Sequence, residues 1–167
     1  MGNPGHRYLV ALGSNQRHPS IGHPRAVVAK AADLIDGTLG KVLAVSPVIE
    51  TAPVGPSLRR YANAALVLDS PLDPPDLLHA LQHLEAQLGR VKRGQRWRAR
   101  VIDLDIVLWS GGTFAGPGLT VPHLLFRQRD FVLGPAAAIA SGWRDPVSGL
   151  TVAHLHARLT RRRPLLR

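Results

Sequence analysis

The stretch Arg90–Trp109 reads RVKRGQRWRARVIDLDIVLW and joins a basic segment to an apolar one. Six cations crowd its first eleven residues: Arg90, Lys92, Arg93, Arg96, Arg98 and Arg100. The second half is an apolar run that is interrupted only by Asp103 and Asp105. Because side chains alternate along a β-strand, a strand over Arg100–Trp109 would place both aspartates on the same face.

This strand would carry Val101 and Val107 beside the aspartates and would present Ile102, Leu104, Ile106 and Leu108 to the core. One pleat period along a strand separates the two carboxylates by about 6.5–7 Å. Aspartate is unfavourable in strands. The pair is therefore either an incidental feature of a solvent-facing strand or a divalent cation site, because hard cations such as Mg²⁺ prefer carboxylate oxygens together with substrate phosphates.

The basic residues before the strand favour the second interpretation. Arginine binds phosphate through two parallel hydrogen bonds, and few acidic residues lie nearby to neutralise the whole group. Gly94 and the lack of periodicity indicate a loop that could close over a nucleotide. Trp97 could stack on a flat heterocycle or anchor the loop on the core. There is no GxxxxGK[ST] loop, so the residues indicate Mg²⁺-dependent nucleotide or phosphoryl chemistry outside the P-loop enzymes.

Composition places the chain among single-domain globular proteins. Its 167 residues are 45% hydrophobic and contain no cysteine, and no apolar run reaches the roughly 18 residues of a membrane span. The N-terminus leads directly into a strand-like segment without a secretory signal, so we expect a cytoplasmic protein. We expect one domain over residues 1–167, with a core at about 7–160 and a basic tail at 161–167. The net charge of +10 suggests a polyanionic partner.

Hydrophobic periodicity and turn residues predict the order β-α-β-β-α-β, followed by a hairpin and terminal helices. The predicted strands are Tyr8–Leu12, Lys41–Thr51, Tyr61–Asp69 and Arg100–Trp109. The predicted helices are a segment around Val27–Ile35, a segment that begins at the N-cap Asp73 and ends at Gly89, and the segments Phe131–Ala140 and Val152–Leu159. Gly111-Gly112 predicts a two-residue hairpin turn. The order is typical of a ferredoxin-like α+β sandwich, an antiparallel sheet with helices on both faces.

Several motifs also resemble those of the 6-hydroxymethyl-7,8-dihydropterin pyrophosphokinase family. The matching segments are ALGSN (Ala11–Asn15), ETAPVGP (Glu50–Pro56), YANAAL (Tyr61–Leu66), LEAQLGRVK (Leu84–Lys92), RWRARVIDLDIVL (Arg96–Leu108), LTVPH (Leu119–His123) and RDFVLGPAAAIA (Arg129–Ala140). They occur in the family's order and span most of the chain. The resemblance implies an α-β-α ferredoxin-like fold and transfer of the β,γ-pyrophosphoryl group of ATP to the pterin hydroxymethyl oxygen, with release of AMP.

The resemblance also implies a site. It makes Asp103 and Asp105 the ligands of two Mg²⁺ ions, and Arg90, Arg100 and Asp105 the catalytic residues, with Asp105 as the candidate general base. The implied ATP-binding residues are Gln82, Glu85, Arg90, Lys92, Trp97, Arg100, Ile106, Thr120, His123 and Arg129. The implied pterin-binding residues are Thr51, Pro53, Val54, Tyr61, Asn63, Trp97 and Phe131.

The sequence departs from the family pattern at four places. Arg98-Ala99 replaces a Gly-Pro pair between Trp97 and Arg100, which removes a rigid turn. Leu124 replaces an aromatic residue after the VPH motif. Ala52-Pro53 stands for Pro-Pro, and Ala138 stands for a glutamate. None of these changes removes a predicted metal ligand.

Two alternatives remain at this point. A homologue could bind pterin and ATP without catalysis, and a basic ferredoxin-like domain could bind RNA, although the aromatic pattern of RNA-recognition motifs is missing. We expect a monomer whose partners are the two small-molecule substrates, with no nucleic acid and no membrane.

Overall fold

The computed structural model describes residues 4–51, 60–89 and 101–162. Within these residues the elements, in chain order, are β1 (His6–Ser14), α1 (Pro24–Ile35), β2 (Lys41–Val45), β3 (Ile49–Thr51), β4 (Tyr61–Ser70), α2 (Pro74–Gln87), β5 (Asp103–Trp109), β6 (Phe114–Gly116), β7 (Leu119–Val121), a 3₁₀ turn (Phe126–Gln128), α3 (Asp130–Ala140) and α4 (Val152–Thr160).

The main sheet is antiparallel, with β1 at its centre. Its order is β2-β4-β1-β5, and β3 pairs with β4 beyond the end of β2. If β2 and β3 are counted as one interrupted strand, this is the order of a ferredoxin-like βαββαβ fold. The predicted fold class is therefore confirmed.

Each face of the sheet carries its own core. Alternate residues of β1, including Tyr8, Val10 and Leu12, pack with α1 and α2 in the first core. Leu9 and Ala11 point the other way and pack with α3 and α4 in the second core. The alternation of one strand thus produces two hydrophobic layers and the α-β-α arrangement.

The predicted alternation of β5 holds only as far as a β-bulge. Val10 pairs with Ile106, but Leu9 pairs with Leu108, so Val107 is the additional residue. Val107 and Leu108 consequently both lie in the second core, whereas Leu104 and Ile106 lie in the first. The prediction that Leu108 shares a face with Leu104 was wrong, because the inserted residue resets the alternation. Val101, just before the strand, also lies in the first core rather than beside the aspartates.

The predicted strand Lys41–Thr51 is interrupted in the middle. The Ser46 N–H donates to Ala65 O at 2.9 Å, and the Ser46 Oγ accepts from Ala65 N at 2.9 Å. Pro47 has no N–H group to continue the ladder. The chain therefore leaves the sheet after Val45 and returns at Ile49 as a separate strand.

Two local predictions have different outcomes. The Asp73 side chain accepts from Asp76 N at 3.1 Å, which confirms it as the N-cap of α2. A tight turn does form at Gly111-Gly112, where Gly112 N–H donates to Trp109 O and Gly112 has a φ of 98°. The strand that follows pairs with β7 in a small separate hairpin rather than with β5.

A buried ion pair organises the loop before α4. Asp145 is fully buried and accepts from Arg127 Nε at 2.6 Å and Nη2 at 2.7 Å. It also accepts from Ser148 Oγ and from the N–H groups of Val147 and Ser148. Burial by itself would raise the pKa of Asp145, but these hydrogen bonds and the charge of Arg127 outweigh it and lower the pKa to about 2.

We expect Asp145→Asn to lower the free energy of unfolding by about 2–3 kcal/mol at neutral pH. The depressed pKa means that the carboxylate stabilises the folded state above its ordinary pKa of 3.8, and that this contribution is lost as the pH falls towards about 2. Urea denaturation of the wild type and the variant at pH 7, 4 and 2.5 measures the difference. Exposed Asp33 supplies the control variant Asp33→Asn, for which we expect a change within about 0.5 kcal/mol. An equal difference at all three pH values would contradict the prediction.

Candidate active site

Asp103 and Asp105 lie on β5, which forms one edge of the main sheet. Asp103 pairs with Gly13 and Asp105 pairs with Ala11 on the neighbouring strand. Both precede the bulge, so they share the face of Ala11, and both are partly exposed. Their cross-strand neighbours on β1 are thus a glycine and an alanine, whose small size limits crowding from that strand.

A row of three paired residues connects the aspartates to the predicted pterin residues. Asn63 on β4 pairs with Gly13 on β1, which pairs with Asp103 on β5. Two strand spacings separate Asn63 from Asp103, roughly 10 Å between main chains. A Cβ added at Gly13 would lie 3.1 Å from Asn63 Oδ1, so the amide leans over the glycine. The sequence prediction did not include Gly13, although its signal is the glycine of ALGSN at a strand end.

Thr51, Tyr61 and Asn63 lie at the end of this row that is opposite Asp103, and together with the row they form a polar surface. Thr51 on β3 pairs with Tyr61 on β4, and Asn63 Nδ2 donates to Thr51 Oγ1 at 3.0 Å. Asn63 is 5% exposed, whereas Tyr61 and Thr51 are partly exposed. Paired and diagonal residues on adjacent strands share a face, so all three lie on the same side of the sheet as the aspartates.

Phe131 and Arg129 border this surface from the start of α3. The Arg129 guanidinium lies 5.6 Å from the centre of the Phe131 ring, within the range of a cation–π interaction. Phe131 is partly buried and packs against the second core. α3 contacts β3, the strand that carries Thr51, as well as β4.

His123 is held by main-chain hydrogen bonds close to the aspartates. Its N–H donates to Val107 O at 3.0 Å, and its ring Nδ1 accepts from Leu125 N at 3.1 Å. Burial lowers the pKa of His123 below its ordinary value of 6.5, the charge of Asp105 opposes this, and the charge of Arg129 adds to it. A neutral ring whose Nδ1 accepts a hydrogen bond carries its proton on Nε2.

The remaining predicted site residues differ in exposure, and several lie outside the described ranges. The Ile106 side chain is 3% exposed in the first core, on the opposite face from Asp105, so only its main chain could contact a ligand there. Gln82 is exposed on α2, and Thr120 is exposed on β7. Glu85 is 2% exposed and accepts from Leu104 N. The predictions for Pro53, Val54, Arg90, Lys92, Trp97 and Arg100 lie outside the described residues.

A separate cleft of about 460 Å³ lies beside the N-terminal end of α1. It is lined by Asn15, Arg17, His23, Pro24, Arg25, Glu50, Arg60, Tyr61 and Ala62. Glu50 lies 3.8 Å from Arg25 and 3.9 Å from Arg60, and all three side chains are largely exposed. Asn15, Glu50 and Tyr61 of this cleft belong to the motifs ALGSN, ETAPVGP and YANAAL, whereas its arginines lie outside the quoted motifs.

Together the fold and the polar cluster define a ferredoxin-like α+β sandwich with a candidate ligand site at one end of its sheet. The sequence profile described as 7,8-dihydro-6-hydroxymethylpterin-pyrophosphokinase (HPPK) matches residues 9–141. The chain belongs to this family.

Relatives agree with this assignment, and a solved structure has the same fold. The chain is 40% identical over 142 residues to the 2-amino-4-hydroxy-6-hydroxymethyldihydropteridine pyrophosphokinase of Pseudomonas aeruginosa, and the match covers 84% of each chain. It is 39% identical over 136 residues to the protein of the same name from Methylorubrum extorquens, covering 80% of this chain and 82% of that one. The crystal structure of Plasmodium falciparum HPPK-DHPS has the same fold, with a TM-score of 0.72 at 14% identity. That match covers 92% of this chain and 41% of the longer chain.

Across the described ranges, no helix combines the length and the apolar character that crossing a lipid bilayer requires.

We expect Asp105→Asn to lower the pKa of His123 further, because the negative charge that favours the imidazolium is removed. Arg129→Gln should raise it, because a repelling positive charge is lost. Titration of the histidine ring signals by NMR measures both effects. Asp33→Asn, on α1 across the sheet, is the control and should leave the His123 titration unchanged. An unchanged or raised pKa in Asp105→Asn would refute the electrostatic coupling.

Proposed function

We propose that the chain transfers the pyrophosphoryl group of ATP to 6-hydroxymethyl-7,8-dihydropterin, with release of AMP, as a step of folate biosynthesis. The observation that carries this proposal is the match to pyrophosphokinases along most of the chain, at 34–40% identity for the first three relatives. Membership of this family also favours an enzyme over an RNA-binding module. An assay with ATP, Mg²⁺ and the hydroxymethyl pterin tests it directly, since AMP is expected as product and ADP would contradict it.

The chemistry requires one bond to form and one to break at the β-phosphorus of ATP. The pterin hydroxymethyl oxygen attacks this phosphorus, and the bond to the oxygen that bridges the α and β phosphates breaks. AMP leaves with the electron pair, and the hydroxyl proton passes to a base or to water. Positioning of the two substrates and stabilisation of the transferring phosphates provide most of the catalysis in such reactions.

Asp103 and Asp105 are the proposed Mg²⁺ ligands, two ions in all. Their carboxylates share one face, are partly exposed and lie across from the small residues Gly13 and Ala11, and they offer the hard oxygen donors that Mg²⁺ prefers. Across the residues that the structure describes, no set of three or more acidic, histidine or cysteine side chains forms a metal cluster. Mg²⁺ suits such an incomplete shell, because it retains waters and substrate phosphates as ligands. Bound there, Mg²⁺ would neutralise phosphate charge.

His123 and Arg129 are the proposed phosphate contacts among the described residues. A neutral His123 would donate from Nε2, and Arg129 would contribute a positive charge through guanidinium donors. The lowered pKa keeps His123 largely neutral near pH 7, so it serves as a hydrogen-bond donor rather than as a second cation. Arg90, Lys92, Trp97 and Arg100 are proposed to contact ATP from the preceding segment. Arg90 and Arg100 would stabilise the charge of the transferring group, and Asp105 remains the proposed base.

The pterin is proposed to bind over the row that contains Asn63 and Gly13. The hydrogen bond from Asn63 Nδ2 to Thr51 fixes the amide, and Oδ1 then lies on the Gly13 side, where it could accept from the N–H groups of a pterin edge. Phe131 and Tyr61 offer aromatic faces on which a flat ring could stack. Because the same row ends at Asp103, the pterin hydroxymethyl group would lie towards the metal ligands.

We expect Asp103→Asn and Asp105→Asn each to lower kcat by about 1000-fold or more, because each removes an anionic metal ligand at the reacting phosphates. The partly exposed positions should keep the melting temperature within a few degrees of the wild type. Chromatographic measurement of AMP formation gives the rate, and thermal unfolding gives the stability. Asp33→Asn is the matched control and should retain full activity. Wild-type turnover in either variant would remove that aspartate from the proposed site.

We expect Gly13→Ala to raise the KM for the pterin by about tenfold and to leave the KM for ATP within about twofold, where tenfold corresponds to 1.4 kcal/mol of binding. The added methyl would meet Asn63 Oδ1 at 3.1 Å and would occupy the floor of the proposed pterin site. Steady-state kinetics with each substrate varied separately provides the measurement.

Gly142→Ala is the control for this substitution, since a Cβ there has open space around it, and its kinetics should match the wild type. An equal rise in both KM values for Gly13→Ala would indicate a general distortion rather than a filled pterin site.

A further inference from the structure

Glu85 is an acidic residue on the buried face of a helix. α2 presents Leu77, Leu81 and Leu84 to the first core, and Glu85 is only 2% exposed on the adjoining part of the same helix. A carboxylate removed from water is unfavourable unless hydrogen bonds compensate it. Glu85 Oε1 accepts from Leu104 N at 2.8 Å, a good distance for a hydrogen bond to a charged acceptor.

The donor of this bond lies between the two aspartates. In an antiparallel pair, successive residues direct their main-chain groups alternately towards the partner strand and away from it. Since Leu104 donates to Glu85 of α2, its N–H points away from β1. The N–H groups of Asp103 and Asp105 then point towards β1, where these residues pair with Gly13 and Ala11.

Among the described residues β5 is an edge strand of the main sheet, and no further strand of that sheet in these ranges takes up the outward N–H of Leu104. Glu85 takes the place that a neighbouring strand would have. The main chain of the segment 103–105 is consequently held by β1 on one side and by α2 on the other. Because side-chain direction follows the main chain, this double anchoring limits how far the two carboxylates can turn.

We propose that Glu85 is a positioning residue for the aspartate pair, acting through the main chain of Leu104 rather than through contact with the nucleotide. This inference rests on the proposed metal-binding role of Asp103 and Asp105. It differs from the role that the family resemblance implies for Glu85, because the side chain is buried and its bonded oxygen is directed at the strand. Displacement of reacting groups by about 1 Å can slow an enzymatic reaction about 100-fold.

Two substitutions distinguish the effect of the hydrogen-bond acceptor of Glu85 from the effects of its charge and its volume. Glu85→Gln retains a side-chain oxygen at the same reach, whereas Glu85→Leu fills a similar volume without an acceptor. For Glu85→Leu we expect hydrogen exchange of the Leu104 amide to be at least tenfold faster, with the amides of Leu66 and Leu68 on β4 unchanged. For Glu85→Gln we expect exchange at Leu104 within about threefold of the wild type.

Metal binding and turnover are measured on the same proteins. With Mn²⁺ as the probe, in the presence of saturating α,β-methylene-ATP, electron paramagnetic resonance should show at least tenfold weaker binding in Glu85→Leu and near wild-type binding in Glu85→Gln. The kcat of Glu85→Leu should fall about 10–100-fold while the KM for the pterin stays within twofold. Leu77→Ala, which removes core packing from the same helix about two turns before Glu85, should lower the melting temperature and leave Mn²⁺ affinity unchanged.

Unchanged Mn²⁺ affinity and kcat in Glu85→Leu would overturn the inference, whatever the change in stability. A rise in the KM for ATP in both Glu85 variants, with Leu104 still protected in Glu85→Gln, would also overturn it and would indicate a nucleotide contact. If Glu85→Leu does not fold, the kcat of Glu85→Gln decides between the outcomes. A kcat near that of the wild type supports positioning by a hydrogen-bond acceptor. A 100-fold loss of kcat while the Leu104 amide is still protected from exchange contradicts it.

Asp103→Asn in the same titration separates this inference from the proposed function. If Asp103→Asn binds Mn²⁺ as the wild type does, the metal-binding role itself fails. If Asp103→Asn loses Mn²⁺ but Glu85→Leu retains it, the aspartate site stands and only the positioning role of Glu85 is wrong.

Discussion

The pairing of β1 with β4 on one side and with β5 on the other is the constraint on which the rest of the structure depends. It places Asn63, Gly13 and Asp103 in one row and Ala65, Ala11 and Asp105 in the next. A slip of one residue between β1 and β5 would turn the aspartates into the first core and expose Leu104, and a slip between β1 and β4 would place Asn63 on the face opposite to Asp103. Burial of the apolar residues of β5 therefore specifies the register, and the register in turn brings the metal-ligand candidates and the pterin candidates onto one face. The bulge at Val107 lies beyond both aspartates, so it adjusts the strand to the second core without disturbing this alignment.

The charged residues around the site lie on segments that hydrogen bonds and an ion pair hold in place. Two carboxylates one pleat period apart repel each other, and His123 and Arg129 provide the polar surroundings on their face. The segment before α3 carries both Arg127 and Arg129, but the two have different environments. Arg127 is committed to buried Asp145, which ties the 3₁₀ turn to the loop before α4. Arg129, two residues later, lies over the Phe131 ring with its charge directed towards His123. The Arg127–Asp145 pair thus stabilises the segment before α3, and the partly exposed Arg129 can contact an anionic ligand.

Local sequence signals were enough for most of the elements and for the common face of the aspartates, but not for the interruption of Lys41–Thr51 or for features that depend on distant residues. Apolar spacing and the Asp73 cap predicted α2, and alternation predicted that Asp103 and Asp105 lie together. The bulge at Val107 could not be predicted, because it depends on how β5 fits Leu9 and Val10 almost a hundred residues earlier in the chain. The Arg127–Asp145 pair and the cleft beside α1 likewise join segments with no shared motif. His123 and Arg129 were predicted through the family resemblance, whereas the bond from Leu104 to Glu85 becomes visible only when α2 is packed against the edge of the sheet.

Carboxylates on an edge strand need a firmly held main chain if they are to keep their positions. This requirement explains why a buried glutamate bonds the main chain of that strand. A position at the edge of the sheet gives ligands access to the carboxylates. Half of the main-chain N–H and C=O groups of an edge strand lack a strand partner, however, so the strand can bend towards solvent. A second paired strand would restore rigidity and at the same time would cover the opening beside the aspartates. Through Oε1 a carboxylate from a helix bonds the N–H group of Leu104, and among the described residues no strand of the sheet covers that edge. The location of Glu85 in an otherwise leucine-rich helix face is therefore physically reasonable, because its side chain supplies a hydrogen bond to the N–H group that lies between both aspartates.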